Sequence, residues 1–144
     1  MKFSTKERYG LRALIDLALH SETETVSISS IAARQNISEA YLEQLVAKLK
    51  KAGLVVSSRG AQGGYKLAKP AKEISVGDVL RAVEGSLDAA NCPGVTGGIC
   101  QDSQLCVSKH VWKKINDSIV ETVDGIKLDT LVEESREARE KYKE

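Results

Sequence analysis

Cys92, Cys100 and Cys106 are all the thiols of a 144-residue chain, and they fall within fifteen consecutive residues, CPGVTGGICQDSQLC. Thiolates so gathered ligate metals, hold inorganic clusters or sense redox state. An odd number of cysteines behind an N-terminus, MKFSTKERYG, without the apolar run of a signal peptide argues for a cytoplasmic protein and against a disulfide framework. The spacing is C-x7-C-x5-C, without the C-x2-C knuckle common in structural zinc sites. Iron-sulfur clusters are held mainly by cysteine thiolates and tuned by hydrogen bonds to the sulfurs. Gly94, Gly97 and Gly98 let the backbone come that close. The residues alone leave four readings open, namely a cluster, zinc, a thiol redox sensor and an incidental grouping, and they favour the first.

The surrounding segment supports that preference. From Ser86 to Gln104 no helical or strand period is present, a stretch longer than the roughly 12 to 15 residues beyond which a structureless loop is usually functional or disordered. Its few apolar side chains cannot order it, whereas thiolates on one inorganic core supply folding energy. A 2Fe-2S core takes four protein ligands, so three cysteines leave one place. His110, four residues beyond Cys106 and on the same side of a helix, is a candidate fourth ligand. Asp102 and a residue of a second subunit are alternatives, while His20 reads as structural.

A second chemistry resides in the N-terminal half. Met1 to Lys72 carries 12 Lys and Arg against 6 Asp and Glu, and Glu73 to Glu144 carries 9 against 14, beneath an overall net charge of +1. A basic half joined to an acidic half fits contact of the first with a polyanion. In the run SEAYLEQLVAKLKK, Leu42, Leu45, Val46 and Leu49 form one apolar stripe, and Ala40, Glu43, Gln44 and Lys48 lie off it. Glu43 suits cytosine N4 and Gln44 pairs with adenine through two hydrogen bonds. Arg59 suits a narrow minor groove. Tyr41, Lys48, Lys6 and Arg8 are candidates for phosphate contacts, which set register without reading sequence.

These residues need a frame. Ser4 with Glu7 forms a capping box for a helix from about Thr5 to His20; Ser27 caps a short helix that stops at Asn36; Ser38 caps a third, stopped by Gly53. LVVSS and YKLAK then flank the glycine-rich tip RGAQGG. Two short helices across a tight turn, followed by a hairpin, predict a winged helix-turn-helix, mainly α with a small β-hairpin wing. Ser75 and Asp78 start a fourth helix ended by Gly85, a long helix runs from about Leu105 to Val123, and Asp129 caps a last one. The wide apolar face of the long helix (Val107, Val111, Trp112, Ile115, Ile119) has no obvious partner within one chain and suits a second copy. The expected organisation is therefore a DNA-binding domain over residues 1–85, a cysteine-rich loop over 86–104, and dimerisation and C-terminal helices over 105–144. A dimer would read a near-palindromic site on double-stranded DNA. No run of about 20 apolar residues provides a membrane span. No phosphate loop, nucleotide fingerprint or nucleophile-base pairing suggests an enzyme.

The segments STKERYGLRALIDLA, ISEAYLEQLVAKLKKAGLV, SRGAQGGYKLAK and ISVGDVLRAVEG resemble the Rrf-two family of bacterial transcription regulators. The three cysteines between the fourth helix and the long helix make the chain most similar to the family's iron-sulfur cluster regulator branch. The resemblance implies a homodimeric regulator that ligates a cluster, usually 2Fe-2S, and changes promoter preference with it. It also implies control of cluster-assembly genes and cluster-assembly proteins as donors. In the family, bases are read from positions that correspond here to Ala40, Glu43, Gln44 and Arg59; Ala40 stands where the best-known member has serine. The family histidine ligand corresponds to Lys109, with His110 the next residue. Within the family a nitric oxide or redox sensor and a cysteine-metabolism regulator are alternatives. Relatives of the first kind carry an acid where this chain has Arg8, and the second has no need of three cysteines. An iron-sulfur electron carrier is the reading from another class.

Overall fold

Each early helix begins where the sequence supplies a cap. In the computed structural model, which describes residues 2–60, 63–101 and 104–143, Ser4 Oγ accepts from the Glu7 amide at 3.2 Å, and Glu7 Oε1 accepts from the Ser4 amide at 2.9 Å. This reciprocal pair satisfies two otherwise orphaned donors and starts α1 (Thr5–His20). Ser27 caps α2 (Ile28–Gln35), which ends as Asn36 turns left-handed at φ 55°, ψ 49°. Ser38 caps α3 (Glu39–Lys51) directly afterwards. The turn is short enough to set α3 across α2 as a helix-turn-helix.

The apolar stripes of these helices meet in one core. Leu14 and Leu17 of α1, Ile31 of α2 and Leu42, Leu45 and Leu49 of α3 are each at most 2% exposed. Fully burying such a side chain contributes about 1.5 to 3 kcal/mol. β1 (Val55–Ser58) and β2 (Gly64–Leu67) pair antiparallel, Val55 opposite Leu67 and Ser58 opposite Gly64. Val26 and Tyr65 exchange backbone hydrogen bonds of 2.9 and 2.8 Å, which anchors the wing to the α1–α2 connection. Ala61 and Gln62 of the expected tip lie outside the described residues.

A 3-10 turn (Ala71–Glu73) leads to α4 (Val76–Glu84), capped by Ser75 and Asp78. Its stripe packs on α1, where a Cβ at Gly10 would stand 2.9 Å from Val83 Cγ1. α5 (Pro93–Thr96), α6 (Ser108–Gly125) and α7 (Leu128–Lys141) follow. The end of α6 is clamped to α4. Arg81 Nη1 and Nη2 donate to the two carboxylate oxygens of Asp124 at 2.8 and 2.9 Å, and that carboxylate occupies the space a Cβ at Gly77 would need. Backbone bonds from Val76 N to Ile126 O (2.9 Å) and from Leu128 N to Ile74 O (2.8 Å) close the junction.

The later elements depart from the sequence reading in four places. α6 starts at Ser108 and not Leu105, because Val107 occupies its cap position with no side chain able to cap. Asp124 and Gly125 complete α6 before the chain turns at Ile126. Asp129 does not cap α7; it sits in the first turn while Lys127 pairs with Ser75. The expectation of a loop without regular structure gives way to α5, which has Pro93 at its first turn and Gly97 in a left-handed C-cap. In addition, α7 packs with the N-terminal elements: Leu128 (1% exposed) and Val132 (6%) belong to the same core as Leu14 and Leu42. The chain thus leaves that core after α4 and returns to it at α7.

Candidate nucleic-acid interface and cysteine loop

The exposed edge of α3 is set by what α3 buries. With Leu42, Leu45, Val46 and Leu49 turned inward, Ala40, Glu43 and Gln44 face solvent. Lys6 and Arg8 at the start of α1 and Arg59 after β1 are exposed as well. Two other candidates are placed differently. The Tyr41 hydroxyl is buried with no hydrogen-bond partner, and its ring meets Tyr9 edge-on at 6.2 Å. Lys48 Nζ donates to the Val83 carbonyl at 3.1 Å, on the last turn of α4.

A buried ionic network ties α1 to the end of α2, and the sequence reading missed it. Asp16 is 2% exposed. Its carboxylate accepts from Arg34 Nε and Nη2 at 2.7 to 3.1 Å and from Gln35 Nε2 at 2.9 Å, at the end of α2. Gln35 Oε1 accepts from Arg12 Nε at 3.1 Å, and the Arg12 guanidinium lies 5.1 Å from the Tyr9 ring centre. His20 Nδ1 is 2.9 Å from the Asp16 carbonyl, the structural role expected of it. Burial pushes the Asp16 carboxyl up, but the hydrogen bonds from Arg34 and Gln35 together with the Arg34 charge outweigh it, so the carboxyl lies below the ordinary aspartate value. The available signal was an acid on the apolar face of α1, between Leu14 and Leu17. Buried charges are normally paired.

The cysteines lie on the excursion between α4 and α7. All three are free thiols, Cys100 exposed and Cys92 and Cys106 half-buried. Cys92 precedes α5, its carbonyl accepting from the Val95 and Thr96 amides at 2.8 and 2.9 Å. α5 rests on the first turn of α6, where a Cβ at Gly94 would come within 2.7 Å of Lys109 Cβ. The Ala89 amide donates to Asn116 Oδ1 at 3.1 Å, so the loop lies along α6. Cys106 Sγ is 3.1 Å from Ser108 Oγ. That hydroxyl, then the Lys109 amide, holds the Cys106 thiol below its usual range, towards the thiolate that binds metals. His110 is exposed on the first turn of α6. Asp102 lies outside the described residues.

In donor chemistry the loop fits a thiolate-ligated group: three unpaired cysteines, one of them acidified, with amides close by. In arrangement it is open, since among the described residues no three His, Cys, Asp or Glu side chains converge as a metal site. Next to it, Val107 at the cap of α6 and Val111, Trp112 and Ile115 within it are 37 to 78% exposed. Among the described residues no helix is long and apolar enough to cross a membrane.

Comparison with known proteins gives this arrangement a family. The profile of the Rrf2 family, described as "Iron-dependent Transcriptional regulator", matches residues 3–134. The chain is 45% identical over 132 residues to the HTH-type transcriptional regulator IscR of Pectobacterium carotovorum, covering 92% of this chain and 79% of the relative. It is 42% identical over 135 residues to the protein of that name from Vibrio vulnificus, at 94% and 79% coverage. Among solved structures, T. potens IscR superposes with a TM-score of 0.78 at 46% identity, over 96% of this chain and 91% of that one. CymR, the global cysteine regulator of B. subtilis, superposes at 0.79 with 38% identity, over 92% and 97%. These relatives are transcription regulators and not enzymes, and the chain shares the winged-helix fold of the family. The chain belongs to the Rrf2 family of DNA-binding transcriptional regulators.

Proposed function

We propose that the protein is a homodimeric regulator that senses iron-sulfur cluster status, with a 2Fe-2S cluster held by Cys92, Cys100 and Cys106 and with His110 as the fourth ligand. It acts in the cytoplasm, receives its cluster from assembly proteins and controls cluster-assembly genes. The observation that carries this reading is the placement of three free thiols on a segment without a core of its own, between the DNA-binding domain and an exposed apolar helix. The similarity to IscR-named relatives over most of the chain supports it. When bound, the cluster supplies a redox-labile inorganic core.

The protein's own residues do the rest. Glu43 discriminates by accepting from cytosine N4, since near a phosphate without a donor base it is repelled. Gln44 reads adenine, Arg59 enters the minor groove, and Lys6 and Arg8 set register on phosphates. The apolar face of α6 pairs with its copy, so that two recognition helices meet a near-palindromic duplex one helical turn apart. Closure of the loop along α6 then biases operator choice by the difference in cluster affinity between the two dimer arrangements.

Anaerobic purification with an absorption spectrum and iron, sulfide and zinc analysis tests the reading. Two irons and two sulfides per chain with visible absorption support it; zinc, or colourless protein that resists reconstitution, overturns it. The superposition on CymR favours a second reading, a regulator of cysteine metabolism. That reading predicts salt-sensitive binding to a palindromic duplex whether or not iron and sulfide are supplied.

A further inference from the structure

The final turn of α4 is the root of the cysteine loop, and three contacts from the DNA-binding helices converge on its last two residues. Val83 fits against Gly10 of α1 where a side chain on Gly10 would not. Glu84 Oε2 accepts from Ser4 Oγ, the α1 cap, at 2.6 Å. The Val83 carbonyl accepts from Lys48 Nζ at 3.1 Å. Carbonyls in the last turn of a helix lack intrahelical partners and sit at the negative end of the helix dipole, where a lysine ammonium is favourable. Immediately beyond, Gly85 turns at φ 88° and the chain enters the cysteine segment.

Lys48 is the member of this junction that comes from the recognition helix. It lies one turn after Gln44, on the same helix face. A lysine there reads from sequence as a phosphate contact, but its ammonium is directed to α4. We infer that Lys48 is a positioning residue that couples the root of the cysteine loop to the recognition helix, so that a change in the loop alters the set of Gln44 and Glu43 on DNA. This rests on the proposed cluster-sensing function. The geometry supplies one contact that such coupling can use, a hydrogen bond tying the recognition helix to the turn from which the cysteine segment departs.

The test compares wild type, Lys48→Met and Lys48→Arg on a near-palindromic duplex selected from a random pool by the wild-type protein. Each is measured with its cluster reconstituted and after removal by a chelator, at several salt concentrations. A wild-type affinity ratio between the two forms on the order of 5- to 150-fold is the usual size of such coupling. Lys48→Met is expected to bring that ratio close to one while the slope of log affinity against log salt stays at the wild-type value in both forms. Lys48→Arg, whose guanidinium also reaches a carbonyl, is expected to restore the ratio. A slope shallower by about 0.9 in Lys48→Met identifies Lys48 as a phosphate contact and overturns the inference. A ratio that Lys48→Met leaves intact also overturns it, with the proposed function standing. A wild-type protein that binds no cluster, or binds DNA equally with and without one, removes the proposed function and the coupling together.

Discussion

Between Leu42 and Leu49 the recognition helix places four apolar side chains at 3% exposure or less, whereas from Ile99 to Ile115 six large apolar side chains remain at 37% or more. The two regions have comparable apolar content but opposite fates. Around α3 each apolar group meets another from α1, β1 or α4, and the buried Asp16 carboxylate of α1 has Arg34 as its cation. Around the cysteines the helix is regular and, among the described residues, its apolar face stays largely uncovered, while the thiols form no disulfide. The first region is completed by the chain itself. The second leaves apolar surface and thiols available, which under the proposed function are completed by a bound cluster and a second copy.

The contrast can be broken by substitution. Cys100→Ala is expected to abolish bound iron and sulfide entirely while circular dichroism and thermal unfolding of the winged helix stay near wild type; a full complement of both would show that Cys100 is not a ligand. Leu45→Ala is expected to cost about 2 to 5 kcal/mol in urea unfolding. Leu105→Ala, at an 88% exposed position, should stay within about 0.5 kcal/mol. Asp16→Asn should cost roughly 1.5 to 3 kcal/mol, the worth of hydrogen bonds to a charged group. Since the folded carboxyl lies below its unfolded value near about 3.9, its contribution is complete above that pH and is lost as pH falls through the folded value. The acid side of the stability profile should therefore be flatter in Asp16→Asn than in wild type. Arg59→Ala should weaken operator binding by about 1 to 3 kcal/mol without altering unfolding, as read by titration at fixed salt.

Where a cap and an apolar period coincided, the boundary was legible in the sequence: Ser4 with Glu7, Ser27, Ser38, and Ser75 with Asp78 each start a helix where expected. The start of α6 was not, because periodicity fixes a face and only a cap fixes an end. α7 was misplaced for a different reason: Lys127 pairs with Ser75 and Leu128 enters the core, contacts more than fifty residues apart that no local pattern encodes. α5 went unread because four residues are too few to show a period, although Pro93 opens it and Gly97 closes it. The helical period identified the exposed face of α3, with Ala40, Glu43 and Gln44 on it. It could not reveal that the Lys48 ammonium would meet a carbonyl thirty-five residues later, or that the Tyr41 hydroxyl would turn inward. Long side chains choose among tertiary neighbours, and those are set by the whole fold.

Because α7 rejoins the N-terminal core and the Ile126 carbonyl is tied to Val76 at the start of α4, residues 86–125 leave and re-enter the fold at the two ends of one helix, with Val123 and Asp124 packed on that helix. α4 is nine residues long, about 13 Å from end to end. A linker of roughly five extended residues would span that gap. The exit and the return of that excursion thus lie close enough for a short bridge to join them.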